Sequence, residues 1–264
     1  MNENSTNINK YISSTGVCSR RDAEKYIQEG LVTINGEIAV LGNRVHPGDS
    51  VLLKGKSLKP KPKAVYIALN KPTGIVCTTD SKERNNIVKF VGYSERLFPI
   101  GRLDKPSQGL IFLTNDGDIV NKILRAGNEH QKEYIVDVDQ DIHIDFIKKM
   151  ASGVPILGTV TQKCQVSQLG KRRFKIVLTQ GLNRQIRRMC TYLGYEVTRL
   201  ERTRIMNVDL KGLKTGQWRL LTDQEIQEIN KLVAQSSKTE EASKLKNTSP
   251  KPKQKWGRSR QRKN

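Results

Sequence analysis

Gly101-Arg102-Leu103-Asp104-Lys105-Pro106-Ser107-Gln108-Gly109-Leu110 joins two apolar runs, Leu97–Ile100 and Leu110–Leu113, and sets one acid beside two bases. Its glycines, aspartate and proline are turn formers, so spacing alone makes it a reversal between strands. Outward from it, Val65–Leu69 and Gly74–Cys77 read as strands around the turn Asn70-Lys71-Pro72-Thr73. Further strands are expected at 109–114, 132–138, 159–168, 173–179 and 195–204, with helical patterns near 117–126, 141–151 and 183–193. Thr222 and Glu225 form a capping box that opens a helix to about Val233. The sum is an α+β domain with a large, mainly antiparallel sheet and flanking helices, expected over residues 64–235.

Ahead of it lies a smaller module. Asn7 can cap a helix that puts Ile8, Tyr11 and Ile12 on one face, with Gly16 placed to stop it. Ser19-Arg20-Arg21-Asp22 then reads as a capping box with aspartate in place of glutamate, and Ala23, Tyr26 and Ile27 make the buried stripe. Asn35-Gly36 suits a type I′ hairpin turn after Val32-Thr33-Ile34, and His46-Pro47-Gly48-Asp49 makes another turn before Val51-Leu52-Leu53. The pattern NKYIS…G…SRRDAEKYIQEGLVTING resembles the alpha-L RNA-binding fold of ribosomal protein S-four, over residues 5–63. That resemblance implies that Arg20, Arg21 and Lys25 meet RNA; the plain alternative is a solvated helix face. Residues 54–63, KGKSLKPKPK, are expected to be extended and hinge-like. The far end, 236–264, is rich in lysine and arginine and is expected to be disordered when free, with Trp256 available for base stacking.

Lys and Arg number 47 against 26 Asp and Glu, a formal net charge of +21, so a polyanion is the natural partner. Charge does not choose between RNA, DNA and acidic lipid, because counterion release is blind to sequence. No run of about 18 apolar residues is present to span a bilayer, and the polar stretch MNENSTNINK has no apolar signal core, so a cytoplasmic protein without a membrane partner is expected. The four cysteines form no CxxC pair and the three histidines have no metal-ligand spacing, so no metal site is expected.

The ordered string GRLDxxSxGL, LTNDGD, KEY at 132–134 and GxNRQIRRM at 181–189 is similar to the RsuA/RluB/RluE/RluF family of ribosomal RNA pseudouridine synthases, closest to its large-subunit branch. The resemblance spans about residue 5 to about residue 235. It implies a nucleophilic Asp104, an active-site Tyr134 and an active-site arginine in NRQIR, for which Arg187 is favoured and Arg184 competes. It also implies that Arg102, Leu103 and Lys105, with Arg184, Gln185 and Ile186, meet the RNA strand around a flipped nucleotide. Arg199, Arg202 and Arg204 stay outside that assignment, since an alternating strand can send them to solvent.

Turning uridine into pseudouridine breaks the bond from ribose to the ring nitrogen, turns the uracil and joins ribose to carbon five. Atoms are neither gained nor lost, so no cofactor is expected. The chemistry calls for a carboxylate that attacks the sugar or the ring, a guanidinium to keep it ionised and aimed, and an aromatic on which the extruded base stacks. The implied substrate is a uridine in a stem-loop of large-subunit (23S) ribosomal RNA, with a tRNA as a further partner, acted on by a monomer. The alternative is a non-catalytic RNA-binding or ribosome-assembly protein. A nuclease or methyltransferase is weaker, for want of a GxGxxG loop, a metal-carboxylate cluster or a histidine pair.

Overall fold

The computed structural model describes residues 5–124 and 130–234. The expected disordered tail, 236–264, and the last two residues of the helix expected near 117–126 lie outside them.

The N-terminal module runs β1 (Thr6–Asn7), α1 (Ile8–Ser14), α2 (Arg20–Gln28), β2 (Val32–Ile34), β3 (Glu37–Ile38), β4 (Arg44–Val45), β5 (Val51–Leu53) and β6 (Lys56–Ser57). Asn7 caps α1 by accepting from the backbone N–H of Asn9, and the Ser19–Asp22 capping box of α2 is fully formed. Asn35 and Gly36 both have positive φ, 52° and 90°, as the type I′ turn between β2 and β3 requires. Ile8, Ile12, Ala23, Ile27, Val32, Val45 and Val51 form the core of the module. Residues 54–57 depart from the expected hinge. Lys54 and Gly55 take positive φ and turn β5 into β6, so only residues 58–65 run outside regular structure.

The larger unit comprises β7 (Tyr66–Lys71), α3 (Ile87–Val91), β8 (Phe98–Ile100), β9 (Gln108–Thr114), α4 (Gly117–Leu124), β10 (Lys132–Val138) and α5 (Ile144–Ser152). After these come β11 (Pro155–Ile156), β12 (Thr159–Val160), β13 (Gln165–Gly170), β14 (Arg173–Leu178), α6 (Gln185–Tyr192), β15 (Val197–Ile205), β16 (Val208–Asp209), β17 (Trp218–Leu220) and α7 (Asp223–Val233). The sheet runs β13-β14-β10-β15-β9-β7-β17, and its pairs are antiparallel except β15 with β9. The α+β class and the mainly antiparallel sheet are as the sequence indicates.

Both faces of the β7–β9 half are covered, which explains its continuous apolar runs. Ala68, Leu110 and Phe112 face one core with Ile119, Ile123 and Ile229 of α4 and α7. Ile67, Leu69, Ile111 and Leu113 face another with Ile87 and Val91 of α3. The β10–β14 half packs Val136, Phe174 and Ile176 against Phe146, Met150 and Met189 of α5 and α6. Tyr134 packs against two of these clusters, at the seam between the halves.

Two expected strands differ. Gly74–Cys77 is no strand, because β9 and β17 already occupy both edges of β7. Its backbone pairs instead with the 101–107 loop and with Asn85: Gly74 N–H donates to Lys105 O at 2.8 Å and Val76 N–H to Asn85 O at 2.9 Å. The strand expected at 159–168 breaks in two, since Leu157 and Gly158 at positive φ fold β11 and β12 into a hairpin of their own before β13 begins.

The LTNDGD segment joins the two units. Asn115 accepts from Val65 N–H at 2.9 Å and donates to Lys63 O at 2.9 Å, tying down the linker. Asp116 accepts from the Tyr66 hydroxyl at 2.9 Å, and Asp118 pairs with Lys10 of α1 at 2.6 Å.

Candidate active site

A cleft of about 700 Å³ opens where the two halves of the sheet meet. The parallel pair there is only two residues long, Glu201 with Gln108 and Arg202 with Gly109. The close approach needs a glycine: a Cβ on Gly109 would lie 2.3 Å from Arg202 O, and its φ of +107° suits no other residue. Beyond that point β9 gives way to the 101–107 loop, which hangs over the cleft.

Asp104 stands on that loop, half-buried, and lines the cleft. Its backbone O accepts from Ser107 N–H at 2.9 Å, closing a turn around Lys105 and Pro106. The loop is pinned from three sides. Gly74 N–H holds Lys105 O, Leu103 N–H points at Cys77 Sγ at 3.3 Å, and Arg187 Nη2 reaches Pro106 O and the Ser107 hydroxyl, each at 3.3 Å. Arg187 is itself anchored through Nη1 on Val197 O at 3.1 Å.

Tyr134 comes to the same cleft from β10 and Arg187 from α6, so the structure gathers Asp104, Tyr134 and Arg187 around one space. One expectation is corrected. Among the described residues no guanidinium lies within 4.0 Å of the Asp104 carboxylate. Arg187 grips the backbone of the Asp104 loop rather than the carboxylate, and the two charges act on each other across a gap. Burial pulls the Arg187 guanidinium below its ordinary value, helped by the Arg184 charge and opposed by Asp104.

Of the residues expected to meet RNA, Arg102 and Lys105 stand exposed on either side of Asp104, and Arg184 is exposed at the head of α6. Arg184 has φ 50° and precedes the helix, so it does not share a helical face with Arg187. Leu103, Gln185 and Ile186 are buried and line the cleft. Leu103 and Ile186 belong to the core, and the Gln185 amide oxygen accepts from Leu182 N–H at 3.0 Å to shape the start of α6. They form part of the surface that an extruded nucleotide would face. Arg20, Arg21 and Lys25 stand exposed on α2 in the other module, with Lys25 3.8 Å from Glu29.

Three buried cations were not singled out by the sequence. Lys71 is fully enclosed, with Nζ donating to Pro72 O at 2.8 Å and Ile75 O at 2.9 Å. Lys132, 7% exposed, donates to His130 O at 3.0 Å; burial, with the Arg202 charge beside it, pulls its ammonium down to about 8. Arg202 is 4% exposed, donates through Nε to Leu110 O at 2.6 Å and stands with its guanidinium carbon 6.0 Å from the Tyr134 ring centroid. Its neighbours on β15 form no basic wall: Arg199 pairs with Glu201 at 2.8 Å, and Arg204 donates to Met206 O at 2.7 Å. The signal was alternation, since Arg202 shares a face with the buried Leu200. No cluster of three metal-binding side chains occurs among the described residues, and none of their helices is long and apolar enough to cross a membrane.

Comparison with known proteins gives concordant matches. Residues 65–192 match the family described as RNA pseudouridylate synthase, and residues 7–51 match the S4 domain. The chain is 59% identical over 237 residues to the dual-specificity RNA pseudouridine synthase RluF of Escherichia coli (strain K12), covering 89% of this chain and 82% of that one. It is 32% identical over 234 residues to the ribosomal large subunit pseudouridine synthase B of Bacillus subtilis (strain 168), covering 85% and 96%. A crystal structure of a pseudouridylate synthase superposes with a TM-score of 0.63 at 28% identity, over 84% of this chain and 99% of the other.

Proposed function

From the premise that this chain belongs to the RNA pseudouridine synthase family, we propose that its target is a uridine in a stem-loop of large-subunit ribosomal RNA, isomerised in the Asp104 cleft. The chain is an RNA pseudouridine synthase and carries an RNA-binding S4 domain. The names of its relatives support the finer reading: one is a large-subunit enzyme, and the dual specificity printed for others extends the proposal to a second RNA, for which a tRNA is the candidate. The enzyme works as a monomer in the cytoplasm, with residues 5–63 as RNA-binding module, 64–235 as catalytic domain and 236–264 as a basic tail.

The observation that carries the assignment of roles is the gathering, from separate segments of chain, of one carboxylate, one tyrosine and four arginines around one cleft, counted among the described residues. Among the described residues Asp104 is the only acid lining it, as suits a reaction in which the released uracil is the next reactant and no water needs activating. Asp104 supplies the attacking carboxylate. Tyr134 stacks on the extruded base, and its hydroxyl helps take the proton from carbon five in the last step. Arg187 positions the Asp104 loop. Arg102, Lys105 and Arg184 at the rim, with Arg20, Arg21 and Lys25 on the other module, hold phosphates and offset the few kcal/mol that extrusion costs. A protein that only bound RNA would have no use for this enclosed set of groups.

The test is carbodiimide mapping of pseudouridine in total RNA from cells with and without the protein. One or more positions in large-subunit RNA are expected to depend on it; dependent positions confined to other RNAs would overturn the substrate proposal.

A further inference from the structure

Among the described residues five bases line the cleft, Arg102, Lys132, Arg184, Arg187 and Arg202, against the single acid Asp104. An excess of positive charge at a surface is ordinary, but two of these are almost wholly enclosed, Lys132 and Arg202, and the enclosed Lys71 lies close enough to feel both Asp104 and Arg202. Burying a cation is unfavourable unless it is paired and hydrogen-bonded. Lys71 and Lys132 meet that need with backbone carbonyls. Arg202 does not. Its Nε is anchored on Leu110 O, yet Nη2 is buried without any hydrogen-bond partner, which leaves its desolvation uncompensated. A native orphan of this kind calls for an explanation, and a partner that arrives during the reaction is one.

The reaction supplies such a partner. When the C1′–N1 bond breaks, its electron pair leaves with the uracil while C1′ is captured by a carboxylate oxygen of Asp104. The detached ring is then an anion, its charge spread from N1 over the two carbonyl oxygens. It must stay in the cleft, turn, and present C5 to C1′; the new C–C bond then releases the carboxylate, the C5 proton departs and N1 is protonated. If Asp104 adds to the ring instead, negative charge again develops on the ring oxygens. Either way the critical species carries negative charge on a carbonyl oxygen next to Tyr134, where Arg202 stands.

Resting on the reading that Tyr134 stacks the extruded base, we propose that Arg202 is a further catalytic residue, whose guanidinium holds a carbonyl oxygen of the uracil while the ring is detached and anionic. The anchor on Leu110 O and the tight β9–β15 pairing at Gly109 fix the guanidinium in advance, as an oxyanion-stabilising donor must be fixed to help the transition state more than the ground state. A planar fork with several N–H groups can follow the oxygen as the ring turns, which a lysine point charge anchored on a carbonyl cannot. Leu200 and Arg202 project from the same face of β15, so a strand that otherwise feeds the core delivers this one charged group to the cleft.

The test is single-turnover cleavage of the target glycosidic bond by full-length wild type and Arg202→Met, on RNA carrying uridine or 5-fluorouridine at that position, with RNA affinity measured alongside. On uridine RNA the variant should lose about 100-fold or more in rate while affinity changes by less than about threefold. Fluorine makes the ring better able to bear the charge itself, so on 5-fluorouridine RNA the defect should shrink by about tenfold. A structural role would leave the defect equal on both substrates, and that result, or a loss confined to RNA affinity, overturns the proposal. If Arg202→Met does not fold, Arg202→Lys makes the same comparison: a defect that shrinks on the fluorinated substrate supports the proposal, and full activity or an equal defect on both overturns it. Failure of the wild type to make pseudouridine would instead overturn the underlying reading.

Discussion

Replacing Lys132 by methionine should make the protein more stable near neutral pH, against the usual outcome of altering a buried, hydrogen-bonded residue. Lys132 is 7% exposed at the start of β10, and burial, with Arg202 nearby, pulls its ammonium from 10.5 down to about 8. That drop corresponds to a penalty of about 3 kcal/mol on the charged form in the native state. Between pH 8 and 10.5 the native protein binds fewer protons here than the unfolded chain does, so this residue's contribution rises with pH across that window. Below pH 8 both states hold the proton and the whole penalty is present. Methionine has similar length and no charge, and gives up one hydrogen bond to His130 O, worth about 1 kcal/mol. The expected net gain is about 2 kcal/mol near pH 7, fading as pH rises through the window. Urea unfolding of wild type and Lys132→Met at fixed ionic strength, near pH 7 and near pH 10, reads the difference directly. A variant less stable than wild type near pH 7, or a gap of equal size at both pH values, would refute the reasoning.

Arg187→Met removes the grip on Pro106 O and Ser107 Oγ, and the loosened Asp104 loop should lower single-turnover rate by about 100-fold with little change in RNA affinity; a loss mainly in affinity would place Arg187 on RNA instead. Gly109→Ala drives a Cβ to 2.3 Å from Arg202 O at a φ of +107°, and thermal unfolding should show a loss of more than about 3 kcal/mol or no folded protein at all. Arg20→Gln with Arg21→Gln should weaken RNA binding without altering single-turnover rate at saturation, and should reduce the slope of log affinity against log salt by about 2. An unchanged slope would leave α2 facing solvent.

Where local rules suffice, the sequence is legible. The Ser19–Asp22 and Thr222–Glu225 boxes and the Asn35-Gly36 turn specify their own geometry within four residues, and all three form. The apolar runs of β9 and β10 also set their own boundaries. Pairing partners are another matter: Gly74–Cys77 has strand composition, yet β17, some 140 residues away in sequence, takes the edge it would need. Trp218–Leu220 gives no signal of its own, since three residues with one aromatic can be loop as easily as edge strand.

The active-site residues named by motif converge on one cleft, but their contacts were not written in the motif. Arg187 reads from sequence as a partner for a carboxylate and is found on the backbone behind it. Arg202 lies among arginines whose burial depends on which face of the sheet each one takes, and the pairing of β15 with β9 at Gly109 and with β10 turns Leu200 and Arg202 to the cleft. Lys71 reads from sequence as part of a turn and Lys132 as the start of a strand, and only the packed neighbours make them buried cations.

The central claim is that Asp104 does chemistry on an extruded uridine. The most direct measurement incubates large-subunit ribosomal RNA with wild type or Asp104→Asn, a change that keeps the side chain's shape, and follows both RNA binding and pseudouridine formation at the target position. Wild type should convert the site stoichiometrically and Asp104→Asn should bind equally well yet form no pseudouridine. Product formed by Asp104→Asn at a rate near that of wild type would contradict the account.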